Sequence, residues 1–293
     1  MSGIEQAAAD NPAAARRAAV LGSPIAHSLS PILHRAAYRR LGLDGWSYDA
    51  FEVDDAALPG FVAGLDAAKW AGLSLTMPLK RAIIPLLDTV GATARAVEAV
   101  NTVVFGADGS RRGENTDVPG LVAALSERGI TTVPTAAVLG GGATAASALA
   151  ALAEVAKGSV DVYVRSLERA AQLGSLVESL GLDARLRLWD EAAKGLDSPL
   201  VINTTPSGAA DELVAAVPTA PGALFDVLYH PWPTPLAAAW ERGGGCVLGG
   251  LDLLIHQAVL QVELMTGCDP SHRADLVAEM REAGTAALAA RDS

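Results

Sequence analysis

The sequence predicts an α/β protein of two α/β domains, the second of which is built on a doubly wound parallel sheet. Short apolar strands alternate with helical segments over the first hundred residues, as is typical of layered α/β folds. After residue 134 the alternation becomes more regular, and a glycine-rich turn joins one strand directly to a helix. With 293 residues, of which 51% are hydrophobic, the chain is long enough to form two domains.

The first domain begins with alternating strands and helices. Short apolar or alternating runs predict strands over 19–23, 46–53 and 71–76, and longer segments with helical spacing predict helices over 30–41 and 56–68. Pro31 suits the first turn of its helix, because the N–H that proline lacks would be unpaired there.

The second part of the chain repeats a strand–helix unit. Apolar runs predict strands over 135–140, 160–165, 186–189, 200–203, 224–228 and 246–248, with helices over 143–157 and 168–180. This succession predicts a mostly parallel sheet, since each connection carries the chain back to begin the next strand. Two further helices, over 251–265 and 274–289, have apolar residues at three- and four-residue spacing.

The composition restricts the possible partners and the location of the protein. A net charge of −11 argues against nucleic acid, and an anionic ligand would need donors or positive charge supplied locally. Cys246 and Cys268 are too few for a disulfide framework and lack the spacing of a metal site. Residues 1–17 lack the apolar core of a signal peptide and predict a flexible tail, and the uncharged run 133–153 is too rich in glycine and alanine to favour a membrane span. We therefore expect a cytoplasmic protein without a metal, membrane or nucleic-acid partner.

The turn that follows residue 139 matches the dinucleotide-binding pattern G-x-G-x-x-A. Gly140 suits the tight turn, Gly142 the close approach of a pyrophosphate, and Ala145 the packing of helix on sheet. The helix N-terminus then offers unpaired N–H groups to phosphate. The motif predicts a Rossmann-type domain, the alternative being a glycine turn without a ligand. The residues assigned to this cofactor site are Gly140, Gly141, Gly142, Ala143 and Thr144.

The end of the next strand indicates which nicotinamide cofactor is used. NAD-binding proteins usually carry an acidic residue there, which accepts hydrogen bonds from the ribose 2′-OH. This chain has Arg165 and Ser166 instead, with Arg169 one turn further on. A guanidinium holds a 2′-phosphate with two parallel bonds, so we predict NADP(H); the alternative is an Arg165 that is only solvated.

Two serines precede the helix that starts near residue 30. Ser28 and Ser30 flank one leucine, so that their hydroxyls can converge on a carboxylate without adding charge. If Ser30 served only as the helix N-cap, that would explain one serine but not both. His27 and His34 are interpreted as structural.

Lys80 is the predicted acid/base residue. Only four of the 22 basic residues are lysine, and this one follows a strand and a proline. Lysine can release a proton when desolvated, whereas arginine cannot at usable pH. Asp117 would complete a pair able to hold a substrate hydroxyl and relay its proton, with Glu114 as the competing carboxylate. For Lys80 alone the alternative is a solvated surface lysine.

Eight segments together resemble the shikimate dehydrogenase family over nearly the whole chain, from about residue 19 to residue 283. They are SPIAHSLSP (23–31), SLTMPLK (74–80), AVNTVV (99–104), NTDVPG (115–120), LGGGAT (139–144), VRS (164–166), DVLYHPWPTPL (226–236) and GGLDLLIHQ (249–257). The resemblance implies an NADPH-dependent enzyme that reversibly reduces 3-dehydroshikimate to shikimate, on the route to chorismate and the aromatic amino acids.

The resemblance also implies roles for the matching residues. They are Lys80 and Asp117 at the substrate hydroxyl, Ser28 and Ser30 at its carboxylate, Thr76, Asn101, Tyr229 and Gln257 around its ring, and Val227 and Gly250 near the nicotinamide. The C-terminal helices would return to the first domain. We therefore predict a catalytic domain of 18–117 plus 251–288 and a cofactor domain of 118–250, in a monomer or homodimer.

Three positions depart from the family pattern. Ser74 stands where asparagine is common, Val164 precedes Arg165 where asparagine often does, and Ala209 stands where methionine is usual. Two alternatives remain open at this point: an NAD-dependent quinate or aminoshikimate dehydrogenase, and a non-catalytic regulator that senses the cyclitol or NADPH. A folate-linked dehydrogenase fits less well, because its motifs do not include the paired serines.

Overall fold

The computed structural model describes residues 15–168 and 170–291, which form two six-stranded sheets with helices packed on them. The predicted tail falls mostly on residues 1–14, outside this range, and the first strand begins at Arg17. The predicted α/β class is confirmed. In the described part of the chain, no helix is long and apolar enough to cross a bilayer, and no group of His, Cys, Asp and Glu side chains is arranged to hold a metal.

The first sheet is mixed. Its strands are β1 (Arg17–Gly22), β2 (Ser47–Glu52), β3 (Trp70–Leu75), β4 (Thr89–Val90), β5 (Thr102–Phe105) and β6 (Arg111–Glu114). They lie in the order β2-β1-β3-β5-β6-β4, and β1 runs parallel to both of its neighbours while β5 runs antiparallel to β3 and β6. The central strands β1 and β3 are almost wholly buried, which is why they are continuously apolar in sequence.

Five helices lie in this part of the chain. They are α1 (Ser30–Arg40), α2 (Leu58–Ala63), α3 (Leu79–Ala82), α4 (Ala92–Ala96) and α5 (Asp117–Glu127). The buried apolar residues of α5 belong to the apolar cluster of the second sheet. Three of the helices begin directly after the predicted polar segments, so the serines, the lysine and the aspartate all stand at or near helix starts.

The second sheet is parallel throughout. Its strands are β7 (Ala136–Leu139), β8 (Val160–Val164), β9 (Ala184–Leu188), β10 (Leu200–Asn203), β11 (Ala223–Asp226) and β12 (Cys246–Leu248), with helices α6 (Ala143–Val155), α7 (Ala171–Leu180) and α8 (Pro235–Arg242). The order is β12-β11-β10-β7-β8-β9, so the strand order reverses between β7 and β10. This is the doubly wound order of dinucleotide-binding domains, in which ligands bind at the carboxyl ends of the strands beside the reversal.

The last two helices pack against the first sheet, as the family resemblance implied. α9 (Gly250–Thr266) and α10 (Arg273–Ala289) share one apolar cluster with β1, α1 and β2. Helix α9 also lies against α5, and the two approach so closely that a Cβ on Gly120 would stand 2.9 Å from the backbone nitrogen of Gln257. Only glycine allows that approach, which brings the first turn of α5 against the middle of α9.

Several predicted boundaries are wrong in detail. The helix expected over 56–68 spans only 58–63, because the chain leaves the helix at Gly64 and turns before β3. The strand expected over 186–189 spans 184–188, and Trp189 instead begins a 3₁₀ helix. Cys246, one of the two cysteines, is exposed at the start of β12.

Candidate active site

A cavity of about 280 Å³ brings most of the predicted substrate and catalytic residues together. It lies where the carboxyl ends of β1 and β3 meet the starts of α5, α6 and α9. The predicted residues that line it are Ser28, Ser30, Thr76, Lys80, Asn101, Asp117, Thr144, Val227, Tyr229, Gly250 and Gln257. Residues separated by more than two hundred positions in the chain, such as Ser28 and Gln257, therefore face one small volume.

Lys80 and Asp117 form an ion pair in this cavity. The Lys80 ammonium lies 2.6 Å from Oδ2 of Asp117, and the two side chains are only 21% and 13% exposed. Asp117 is the first residue of α5, where the positive end of the helix dipole stabilises a carboxylate. Glu114, the competing carboxylate, instead pairs with Arg112 and is not among the residues that line the cavity.

The second oxygen of Asp117 is held by Asn101. The Asn101 amide nitrogen donates to Oδ1 of Asp117 at 2.8 Å, and its carbonyl oxygen accepts from the backbone N–H of Thr116, also at 2.8 Å. The Thr102 hydroxyl donates to the same carbonyl. The backbone N–H of Thr116 needs an acceptor, and in the Asn101 amide only the oxygen can accept. The amide nitrogen is therefore the end that faces Asp117. The carboxylate is thus bonded on both oxygens and kept in one orientation.

The two serines reach the cavity from the start of α1. Ser28 Oγ accepts the backbone N–H of Ser30 at 3.3 Å, and the side chain of Ser30 is buried. The helix begins at Ser30, and Leu29 occupies the capping position without a side-chain bond. The alternative that Ser30 is only the N-cap is therefore wrong. His27, interpreted as structural, is exposed and lines the mouth of the cavity.

Tyr229 and Gln257 close the opposite side. Burial raises the pKa of the Tyr229 phenol, so the side chain is a neutral hydroxyl at physiological pH. The Gln257 amide nitrogen donates to the carbonyl of Leu254 at 2.8 Å, and its oxygen lies 3.4 Å from the Thr116 hydroxyl. Both side chains therefore present polar atoms to the cavity without carrying charge.

A buried chain of hydrogen bonds beneath the cavity was missed by the sequence reasoning. The Tyr48 hydroxyl donates to Ser74, Ser74 donates to Oε1 of Gln261, and the Gln261 amide nitrogen donates to the Thr102 hydroxyl, over distances of 2.6, 2.8 and 3.0 Å. The amide of Gln261 therefore lies in the floor of the cavity beside Ser74. Ser74 is the position at which asparagine is common in the family pattern. The available signal was helical spacing, because Gln257 and Gln261 are four residues apart and share one face of α9.

The glycine turn lies beside this cavity and has the geometry that a pyrophosphate needs. Gly140 has a φ of +110°, which favours glycine, and a Cβ there would meet the Thr204 hydroxyl. A Cβ on Gly142 would meet nothing within 4 Å, so the turn is open on the side where a ligand would approach. Ala145 is fully buried against the sheet. These residues fit a dinucleotide phosphate at the start of α6.

A second cleft, of about 500 Å³, extends from the glycine turn to Lys80. One side is formed by Gly141, Gly142, Ala143, Thr144 and Thr204, and the other by Thr76, Met77, Pro78, Lys80 and Arg81. Three residues, Thr76, Lys80 and Thr144, line both this cleft and the first cavity. A dinucleotide lying on the glycine turn would therefore extend toward the lysine–aspartate pair.

The remaining predicted cofactor residues lie at two places. Arg165 and Ser166 follow the end of β8, where Arg165 is exposed, and Arg169 lies outside the described residues. Gly250 begins α9, and a Cβ there would stand 2.1 Å from the carbonyl oxygen of Val227. The approach of the 227–229 loop to α9 therefore depends on this glycine. The roles of these residues in binding NADP(H) stay predictions.

A parallel sheet with an open glycine turn, continuous with a cavity that holds a lysine–aspartate pair, defines the class of nicotinamide-dependent oxidoreductases. Models of two shikimate dehydrogenase domains match the chain: the substrate-binding domain over residues 20–103 and the C-terminal domain over residues 250–283.

Known proteins similar to this chain over most of its length include shikimate dehydrogenases. The NADP(+) enzyme of Methylobacterium radiotolerans is 39% identical over 264 residues, which cover 87% of this chain and 92% of the relative. The structure of shikimate 5-dehydrogenase from Thermus thermophilus in complex with NADP(H) and shikimate is 35% identical, covers 92% of this chain and 99% of that chain, and has a TM-score of 0.77. A quinate dehydrogenase from Corynebacterium glutamicum in complex with NAD is 26% identical, covers 93% and 99% of the two chains, and has a TM-score of 0.82. The chain belongs to the shikimate dehydrogenase family.

Proposed function

We propose that the protein catalyses the NADPH-dependent, reversible reduction of 3-dehydroshikimate to shikimate, the activity that names its family. The observation that carries the proposal is the Lys80–Asp117 pair, which faces a cavity continuous with the cleft of the glycine turn. The 39% identical relative is an NADP(+) enzyme, and Arg165 stands where a 2′-phosphate would be recognised.

Neutral donors and helix starts favour the binding of an anionic substrate. The hydroxyls of Ser28 and Ser30 lie at the start of α1, where the positive end of the helix dipole also attracts a carboxylate. Thr76, Tyr229 and Gln257 would then face the hydroxyl-bearing ring. This arrangement matters in a protein with a net charge of −11, whose overall field repels anions.

Lys80 is the proposed acid in the direction of reduction. NADPH, when bound, supplies the hydride to the ketone carbon of the substrate. Lys80 uses one N–H for Asp117, and the cavity side of its ammonium can donate to the carbonyl oxygen and then protonate the developing alkoxide. Asp117, which is held by Asn101, keeps the Lys80 ammonium in place and balances its positive charge. In the reverse direction the same pair accepts the hydroxyl proton.

The decisive experiment combines a substrate panel with a lysine variant. We expect the wild-type protein to oxidise shikimate with NADP⁺ faster than quinate or aminoshikimate with either NADP⁺ or NAD⁺, measured at the nicotinamide absorbance. Lys80→Ala should lose turnover by roughly 10²–10⁴-fold while it still binds NADPH, because removal of the acid affects the chemical step. Lys69→Ala is the matched control, since Lys69 is 75% exposed and pairs only with a neighbouring surface aspartate.

Each alternative has its own outcome in this experiment. A preference for quinate with NAD⁺ would favour the NAD-dependent alternative, to which the similarity with the quinate dehydrogenase points. Ligand binding without turnover by the wild-type protein would identify the non-catalytic regulator. A Lys80→Ala variant as active as the wild type would contradict the role given to the lysine.

We also propose the organisation that accompanies this activity. The catalytic domain would comprise 18–117 plus 251–288 and the cofactor domain 118–250, a division supported by the two separate sheets and by the shared cluster of α9, α10 and α1. We propose a cytoplasmic monomer or homodimer without a nucleic-acid partner, as the net charge of −11 and the two unpaired cysteines favour. Light scattering of the purified protein tests the oligomeric state.

A further inference from the structure

We propose that Arg81 binds the pyrophosphate of the dinucleotide from the side of the cleft opposite the glycine turn. Arg81 lies on α3, directly after the catalytic lysine, and belongs to the first sheet's side of the cleft. The proposal rests on the proposed function and assigns a cofactor contact to a residue that the sequence reasoning did not single out.

The charge of the cleft supports this assignment. Two cations, Lys80 and Arg81, are among its described lining residues, and none of those lining residues is an aspartate or glutamate. Lys80 is already committed to Asp117 at 2.6 Å. In a protein of net charge −11, a cleft lined by cations without carboxylates attracts an anion, and Arg81 is the cation that the catalytic pair does not use.

The ion pair of Arg81 with Glu98 is one that a phosphate can displace. The guanidinium lies 3.9 Å from a carboxylate oxygen of Glu98, and the two side chains are 51% and 71% exposed. A pair so long and so solvated contributes little to stability. A phosphate on the glycine turn would offer shorter, charge-assisted bonds to the planar guanidinium, which has five N–H donors and can replace this contact.

The glycine turn and Arg81, the two proposed contacts of the pyrophosphate, lie on opposite sides of the cleft. Gly141 and Gly142 offer backbone N–H groups near the start of α6, and Arg81 faces them across the same cleft of about 500 Å³. A pyrophosphate held between them would join the two sides of the cleft and fix the nicotinamide end of the cofactor near Lys80. The contact would serve NADPH and NADH alike, because both contain the pyrophosphate.

Binding measurements with fragments of the cofactor test the assignment. We expect Arg81→Gln to raise the dissociation constants of NADPH, NADH and ADP-ribose by about tenfold, as the loss of a charge-assisted bond at a half-exposed site predicts. Adenosine 2′-monophosphate, which has no pyrophosphate, should bind within about twofold of the wild-type value. Arg81→Lys, which keeps the charge but loses the fork of donors, should fall between the two.

The matched control is Arg95→Gln, which removes the same charge from neighbouring helix α4. Arg95 donates to the carbonyl of Val90 and is not among the residues that line this cleft, so its loss should leave all four dissociation constants within about twofold. Circular dichroism and thermal unfolding check that the variants are folded.

The possible outcomes separate the two proposals. If Arg81→Gln binds ADP-ribose like the wild type, or no worse than Arg95→Gln does, the assignment of Arg81 is overturned and the proposed function stands. An equal loss for adenosine 2′-monophosphate would also overturn it, because the contact would then not be with the pyrophosphate. A wild-type protein that bound neither NADPH nor NADH would overturn the proposed function and the Arg81 contact together.

Discussion

His34 should make the stability of the first domain depend on pH. Its ring is fully buried and stacks on Tyr48, with the ring centroids 3.8 Å apart. Nδ1 lies 2.9 Å from the carbonyl oxygen of Ser30, and since a carbonyl can only accept, Nδ1 carries the proton of the neutral ring. Burial lowers the pKa of His34 from 6.5 to about 4, because the charged imidazolium would be desolvated there.

The sign and size of the effect follow from this shift. The unfolded chain binds a proton at His34 below about pH 6.5, whereas the folded protein does not until about pH 4. Acid therefore favours the unfolded state across this window. The stabilisation that comes from the neutral His34 ring is present in full only above the pKa that His34 has in the unfolded chain. Between about pH 7 and pH 5 the free energy of unfolding should fall by about 2 kcal/mol on account of this residue.

Urea unfolding of the wild type and of His34→Gln at several pH values measures the effect. The variant will have its own loss of stability at neutral pH, but its pH dependence between about pH 7 and pH 5 should be weaker by about 2 kcal/mol, because glutamine does not titrate. His272→Gln is the control, since His272 is exposed and should leave the slope unchanged. A variant at position 34 with the slope of the wild type would refute the reasoning.

Three further substitutions have expected results that follow from what each side chain would contact. Arg165→Gln should weaken the binding of NADPH by about tenfold and leave that of NADH unchanged, because only NADPH has the 2′-phosphate; equal losses for both would contradict the assignment. Gly120→Ala should lower the free energy of unfolding by about 1–3 kcal/mol, since its Cβ would press on the backbone of Gln257. Gly60→Ala, in a helix with nothing within 4 Å of the new Cβ, should instead raise it by about 0.5–1 kcal/mol, and urea midpoints compare the two.

The fold class was predictable because local signals agreed with one another. The strand, glycine turn and helix around Gly140 form one contiguous pattern, and the apolar strands that follow are buried in the same parallel sheet. The hairpin of β5 and β6 was missed although its signal is present. Asp108 and Gly109 form a turn between two short runs, and Gly109 has a φ of +86°.

Helix α5 was not among the predicted elements. Its sequence is compatible with a helix, because a proline in the first turn, here Pro119, costs no internal hydrogen bond. Gly120 is needed for packing against α9, a contact that no local pattern indicates.

The parts of the site that could not be predicted join distant segments. Ser74 and Gln261 are 187 positions apart, and their hydrogen bond depends on how α9 returns to the first sheet. Arg81 is ordinary in sequence, one of 22 basic residues, and acquires meaning only because the fold places it across a cleft from the glycine turn. Polar residues that stand in or beside a motif could therefore be predicted from the sequence. The residues that bond to them or face them from distant segments could be found only from the three-dimensional structure.

The arrangement of helix starts explains how so acidic a protein can bind two anions in one place. Ser30, Asp117 and Gly250 are the first residues of α1, α5 and α9, Thr144 is the second residue of α6, and all four line the same cavity. Each of these helices is long enough to direct the positive end of its dipole toward that volume. The local potential is therefore more positive than the net charge of −11 suggests, and the one carboxylate in the set, Asp117, is neutralised by Lys80. In the proposed mechanism, the helix starts supply part of the positive potential that binds the anions, which leaves Lys80 available for proton transfer.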